Sequence, residues 1–284
     1  MNLTNINDIK SLLGRHGFHF SKSMGQNFLI ESWVPHDIAE AADLNENCGV
    51  MEVGPGIGPL TQQLATRAKK VAAIELDRDL LPILGETMAP YPNVEIVPGD
   101  AMKLDFKELT EDRFPGLTVK ACANLPYNIT TPIITKMLES GCFKTITVMI
   151  QREVAKRICA APGDPDCGAF SLFCQYHAEC ELLFEVPPEC FIPAPKVTSA
   201  VIRLTPRSAP PVKADENALF SVIKAAYAQR RKTLLNGLTA AYGSKFSKDE
   251  LRQAIVDCGL QDAIRGERLT LQDFANLSNI LHNH

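Results

Sequence analysis

The chain has 284 residues, 45% hydrophobic and 22% charged, which excludes a disordered or fibrous protein and predicts one main globular domain with a smaller appendage. Lys and Arg number 29 against 33 Asp and Glu, a net charge of −4, which argues against a general nucleic-acid coating protein. No apolar run approaches the ~20 residues of a membrane span, and no basic-then-apolar leader is present, so a soluble, cytoplasmic protein with no membrane partner is expected.

The first predicted elements are helices over 5–13, closed by Gly14, and over 33–42. β-Branched runs then alternate with helical patterns: strands at 50–53, 71–74, 94–97, 118–123 and 145–150, helices at 59–68, 79–88 and 132–140. That rhythm predicts an α/β fold with a mainly parallel sheet covered on both faces. Cys174, His177 and Cys180 follow at helical spacing, but nine scattered cysteines without a C-x-x-C pair fit a reducing compartment. Small hydrophobes in a core helix are the expected reading, and no metal. Strands at 181–186 and 197–204 flank a proline-rich bend, so the sheet should end in a hairpin. Pro206, Pro210 and Pro211 interrupt the chain, and helices follow at 215–228, 231–241, 248–257 and 270–281, with Ser247 and Thr270 as N-caps. The predicted boundary separates 1–207 from an all-helical 208–284. Charge is uneven: 75–113 carries 10 acids and 4 bases, net −6, whereas 196–232 carries 8 bases and 2 acids, net +6. The basic stretch could meet phosphate.

The strand ends carry the chemistry. Glu52, Gly54, Gly56 and Gly58 form a glycine-rich turn between a strand and a helix. It is not the dinucleotide fingerprint, because position 59 is Pro where Gly is required. Glu75, ending the next strand 21 positions after Gly54, can accept both hydroxyls of a ribose; alone, it could be a solvated strand-end acid. Asp100 ends the third strand, suited to an adenine amine with Met102 as apolar neighbour, or to capping a turn. Ligands in open α/β sheets bind at the carboxyl ends of strands, so three polar ends together favour a nucleoside site. At the fourth strand, Asn124, Leu125, Pro126 and Tyr127 bring together an amide oxygen, a backbone carbonyl and a ring. An exocyclic adenine amine is a poor nucleophile, since its lone pair is delocalised. Two carbonyls accepting its N–H bonds would aim that lone pair, while Tyr127 stacks on the base. A purely structural turn is the alternative.

Several motifs extend the pattern: Ser23-Met-Gly-Gln-Asn-Phe-Leu29, Glu52-Val-Gly-Pro-Gly-Ile-Gly58, Asn124-Leu-Pro-Tyr-Asn128, Gln151-Arg-Glu-Val-Ala155, Phe191-Ile-Pro-Ala-Pro-Lys-Val-Thr-Ser-Ala200, Gln229-Arg-Arg-Lys-Thr-Leu-Leu235 and Gly266-Glu-Arg-Leu269. In these the sequence resembles, through nearly its whole length, the S-adenosyl-L-methionine-dependent adenine-N6 dimethyltransferases of ribosomal RNA, and within them the small-subunit branch. The resemblance implies a Rossmann-like class I methyltransferase domain with a seven-stranded sheet and a helical RNA-binding domain. It implies that Asn27 and Leu29 contact the cofactor, Gly54 its methionine end, Glu75 its ribose, Asp100 its adenine and Asn124 the reacting region. Tyr127 and Phe191 would face each other across a flipped base, and Arg230, Arg231 and Lys232 would meet RNA phosphate. The implied substrate is two adjacent adenosines near the 3′ end of 16S rRNA, each dimethylated on the small (30S) subunit by a monomer. A large-subunit rRNA dimethyltransferase, a mitochondrial transcription-factor branch and an assembly factor acting mainly by binding are the alternatives; no Arg-rich presequence supports the second.

Overall fold

Seven strands form one sheet because the hydrophobic runs between Cys48 and Pro206 can be buried only against one another. The computed structural model describes residues 1–19, 26–229 and 232–282. It divides into two compact units, Met1–Ala155 with Cys180–Pro206, and Lys156–Glu179 with Arg207–His284.

In the first unit the chain runs α1 (Ile6–Arg15), β1 (Phe28–Leu29), α2 (Trp33–Ala41), β2 (Cys48–Val53), α3 (Pro59–Ala65), β3 (Lys70–Glu75), α4 (Leu81–Met88), β4 (Val94–Pro98), α5 (Phe106–Arg113), β5 (Thr118–Asn124), α6 (Thr130–Ser140) and β6 (Ile146–Gln151). After α7 (Arg152–Cys159) and α8 (Ala169–His177) it returns as β7 (Ala178–Val186), β8 (Phe191–Ile192) and β9 (Ser199–Pro206). The strand order is β4-β3-β2-β5-β6-β9-β7. Parallel pairing runs from β4 to β6, while β9 lies antiparallel to β6 in the register Val148↔Ile202. This is the mainly parallel seven-stranded sheet with an antiparallel end expected of a class I methyltransferase. The central β2 is buried along its whole length, as a strand covered on both faces must be.

On one face, Val34, Ile38, Leu60 and Leu64 of α2 and α3 pack on Val50, Val71, Cys122, Met149 and Val201. Lys120, 6% exposed in β5, is a buried cation among the apolar strand residues. Its Nζ donates to Ala42 O at 3.2 Å and also to Asp43 O. The cation thereby caps the carbonyl end of α2, where Asp43 takes φ 50°. A short antiparallel ladder, Phe28↔Ile192 and Leu29↔Phe191, joins β1 to β8.

The second unit is helical: α9 (Glu216–Tyr227), α10 (Leu234–Tyr242), α11 (Lys248–Asp257) and α12 (Leu271–His282). Leu219, Val222, Leu238, Leu251, Ile255, Phe274 and Leu277 share its core with Leu172 and Tyr176 of α8. That burial is why Lys156–Glu179 clusters with the C-terminal helices, although it precedes the expected boundary near 207. Each apolar face finds its partner there. Asp215 accepts from Ala218 N at 2.9 Å. Ser247 and Glu250 form a reciprocal capping box, and Thr270 Oγ1 accepts from Asp273 N at 3.2 Å.

Two local expectations change. Gly14 lies inside α1, and the helix is closed instead around Gly17 at φ 62°, whose neighbour Phe18 N donates back to Leu13 O at 2.9 Å. Helix α10 starts at Leu234, not 231. No described helix is long and apolar enough to cross a membrane.

Candidate active site

The strand order turns outward from β2: β3 lies on one side and β5 on the other. The loops leaving β2 and β5 therefore part, opening a crevice beyond the carboxyl ends of the strands. Parallel register brings those ends level, with Val53↔Ile74 and Glu75↔Pro98. A cleft of about 990 Å³, mouth included, occupies the place, lined by residues between Gln26 and Ile129. All belong to the first unit.

The turn after β2 folds as glycine chemistry requires. Gly54 N donates to Ile74 O at 3.0 Å, extending the ladder one residue, and the chain then bends with φ 70° at Gly54. At Gly58, φ 95°, an added Cβ would stand 2.5 Å from Met88 Cε. The turn can thus enter α3 while keeping its backbone against the cleft.

Two carboxylates sit at the base of that turn. Glu75 is 6% exposed. Its Oε1 accepts from Asp77 N at 2.8 Å and its Oε2 from Gly56 N at 3.4 Å. Burial pushes its carboxyl up to about 7. Glu52 is 1% exposed, and burial, with the charge of Glu75 adding, raises it to about 8. Glu52 Oε2 has no hydrogen-bond partner among the described residues. A buried carboxylate left so is costly unless a ligand completes it. A ligand carrying a cationic end and a vicinal diol would satisfy both acids. The residues present therefore fit the sulfonium nucleoside whose methionine end is an ammonium.

Asp100 takes the turn-capping role and also lines the cleft. Its Oδ1 accepts from Met102 N at 2.9 Å, as a turn cap does, while Oδ2 lies 3.8 Å from Lys103 Nζ. Opposite, Leu125 N donates to Met149 O at 3.0 Å, which carries the β5–β6 ladder past Asn124. Leu125 is buried, Pro126 contributes no N–H, and Tyr127 opens a 3-10 turn. Tyr127 Oη and Ser199 Oγ share a hydrogen bond of 2.6 Å.

Asn27, Leu29, Gly54, Glu75, Asp100, Asn124, Leu125, Pro126 and Tyr127 all line this one cleft. Phe191 does not. It is 3% exposed and packs in the core with Leu29. Lys232 is exposed, whereas Arg230 and Arg231, like Ser23, Met24 and Gly25, lie outside the described residues. Within the basic stretch Arg203 pairs with Glu181 at 2.6 Å and Arg207 with Glu179 at 3.1 Å. Lys196, Lys213, Lys224 and Lys232 are exposed and have no ion-pair partner among the described residues.

Sequence reasoning passed over three lining residues. Leu76, 53% exposed beside Glu75, offers an apolar face for a base; a large apolar residue directly after a strand-end acid was the available signal. Gln26 Nε2 donates to Asp77 Oδ2 at 2.6 Å, tying β1's approach to the loop after β3. Glu52 stood in the motif without an assigned role. Cys174 ends buried in α8, but the helix stops at His177 and Cys180 is in a strand. No described group of three or more His, Cys, Asp or Glu could hold a metal ion, and no disulfide joins the cysteines, all nine of which are described.

Comparison with known proteins gives the family. The family "Ribosomal RNA adenine dimethylase" matches residues 17–283. "Ribosomal RNA small subunit methyltransferase A" of Alkaliphilus oremlandii is 46% identical over 274 residues, covering 96% of this chain and 95% of its own. The protein of that name from a Geobacillus species is 45% identical over 278 residues, covering 96% of each. Among solved structures, the 23S rRNA methyltransferase ErmE superposes with a TM-score of 0.69 at 26% identity, over 90% of this chain and 99% of its own.

Proposed function

The chain belongs to the ribosomal RNA adenine dimethylase family and is an S-adenosyl-L-methionine-dependent methyltransferase; from that premise we propose that it dimethylates the N6 amines of two adjacent adenosines in the 3′-terminal hairpin of 16S rRNA. It acts as a monomer in the cytoplasm, on the small (30S) ribosomal subunit or its precursor late in biogenesis. The observation that carries this reading is that Glu75 and Asn124, the last residues of β3 and β5, and Asp100, two residues past β4, line one cleft.

S-adenosyl-L-methionine, when bound, supplies a methyl group already activated on a sulfonium. Glu75, once ionised, accepts from the two ribose hydroxyls. Asp100 accepts from the adenine amine of the cofactor, with Leu76 against the ring face. Gly54 lets the backbone approach the methionine end, and Glu52, once ionised, meets its cationic charge; Asn27 and Leu29 close the N-terminal side. Asn124 Oδ1 and the Leu125 carbonyl accept the N–H bonds of the target amine and turn its lone pair toward the methyl carbon. As the amine becomes positively charged these oxygens stabilise it, and orientation supplies much of the remaining rate. No dedicated general base is needed, because the proton can leave to water after attack. Pro126 stiffens the turn, and Tyr127 stacks on the flipped base. Arg230, Arg231 and Lys232 meet backbone phosphate and hold the hairpin.

Incubating the protein with methylation-deficient small subunits and mapping modified adenosines by mass spectrometry tests the reading. Two adjacent N6,N6-dimethyladenosines near the 16S 3′ end are expected. Label confined to large-subunit rRNA, or none, overturns it.

A further inference from the structure

Tyr127 is useful as a stacking platform only if its ring is held at the correct tilt. The ring hangs from a 3-10 turn that lines the cleft, half-buried, and a side chain with two free torsions would sample several orientations there. The hydroxyl end, however, is fastened to Ser199 Oγ at 2.6 Å. Ser199 is the first residue of β9 and is 0% exposed. Its pairing with Gln151 sits two residues beyond the Met149 that faces Asn124, at the same end of the sheet. The tether thus crosses from the catalytic turn after β5, past β6, to a strand locked by antiparallel pairing.

We propose that Ser199 is a positioning residue for methyl transfer, which sets the plane of the Tyr127 ring and through it the approach of the target amine. This rests on the functional reading above, in which Tyr127 stacks on the flipped adenine. Burial holds the Tyr127 phenol above its ordinary value, with the bond to Ser199 opposing, so the phenol stays a neutral hydrogen-bonding partner at working pH. Ser199 is not among the residues lining the cleft. Its effect passes through the ring, and loss of the bond releases the ring without removing it.

A double-mutant cycle on Ser199→Ala and Tyr127→Phe, read by single-turnover methyl transfer at saturating subunit and cofactor, tests this. Each change deletes one end of the same bond, so each alone should slow transfer about 10-fold, within the range known for small misplacements of reacting groups. The double variant should be no slower than the slower single. Cofactor affinity by calorimetry should not move, and Ser199→Thr, which keeps the hydroxyl, should restore most of the rate. Wild-type transfer in Ser199→Ala, or a double variant as slow as the product of the two singles, overturns the tether. Should Ser199→Ala fail to fold, Tyr127→Phe alone decides, since it keeps the ring; wild-type transfer in it also overturns the tether. Asn124→Ala run in parallel separates this from failure of the underlying reading. A slow Asn124→Ala beside a normal Ser199→Ala sinks only the tether, whereas wild-type rates in Asn124→Ala sink the reading itself.

Discussion

The two units place their polar groups in opposite ways. In the helical unit, Asp215, Ser247 and Thr270 lie at helix starts and satisfy local N–H groups. Its core residues, Leu219, Leu238, Leu251, Ile255 and Phe274, are apolar and fully buried. In the sheet unit, Glu52 and Glu75 are buried at strand ends, glycines hold positive φ, and Leu76 is exposed beside them. In the helical unit such departures are scattered, as with the buried, unpartnered hydroxyl of Ser278 and the positive φ of Gly163 and Gly259, while at the cleft several come together. Such clustered violations mark a place selected to bind or react rather than to stabilise.

The sharpest way to test that contrast is to remove a group from the cleft that stabilises nothing else. Asn124→Ala deletes one acceptor for the target amine but leaves the turn and ring; turnover should fall on the order of 10²-fold, as when one oxyanion-hole donor is lost. Cofactor and subunit affinities should hold. Rapid-quench methyl transfer checks it. The converse change falls in the helical unit. An added Cβ at Gly237 in α10 would stand 2.6 Å from the Ala225 carbonyl oxygen of α9, so Gly237→Ala should cost about 1–3 kcal/mol of stability. Denaturant unfolding should record the loss while calorimetry finds cofactor affinity unchanged. A smaller effect is expected at the edge of the same unit. Ser247→Ala opens the capping box with Glu250 and should cost ~1 kcal/mol, with turnover unaffected.

Sequence patterns reveal most of the sheet because buried parallel strands are short β-branched runs; β2 to β6 lie within two residues of their predicted bounds. The helix α5 escaped notice since only Phe106 and Thr110 of its eight residues are buried, leaving almost no apolar period. Strand β9 is last in sequence but sits between β6 and β7, an order that no periodicity encodes. Glu75, Asp100 and Asn124 were legible at the site because each ends an apolar run. Ser199 was not, for its partner lies 72 residues away, and a serine opening a strand carries no local signal. Phe191 stands outside the cleft lining for a related reason: an aromatic in a motif reads alike whether it faces a cleft or a core.

The central claim is that the cleft keeps a buried carboxylate for a ligand at some cost to the fold, and Glu75 makes it measurable. Its carboxyl is raised from 4.5 to about 7 by burial. The stability contributed by the neutral form is therefore complete below pH 4.5, where the unfolded chain is also protonated, and is lost as pH rises through about 7. Binding carries the opposite sign, because only the ionised carboxylate accepts from both ribose hydroxyls. Calorimetric titration of S-adenosyl-L-methionine from pH 6 to pH 8 should show wild-type affinity rising through about 7. Glu75→Gln should bind at least tenfold more weakly at the upper end, since hydrogen bonds to a charged group are worth ~1.5–3 kcal/mol each, and should lose the part of that rise near 7, keeping only what Glu52, raised to about 8, contributes. Wild-type affinity in a folded Glu75→Gln protein, or an identical pH dependence in both, would contradict the account.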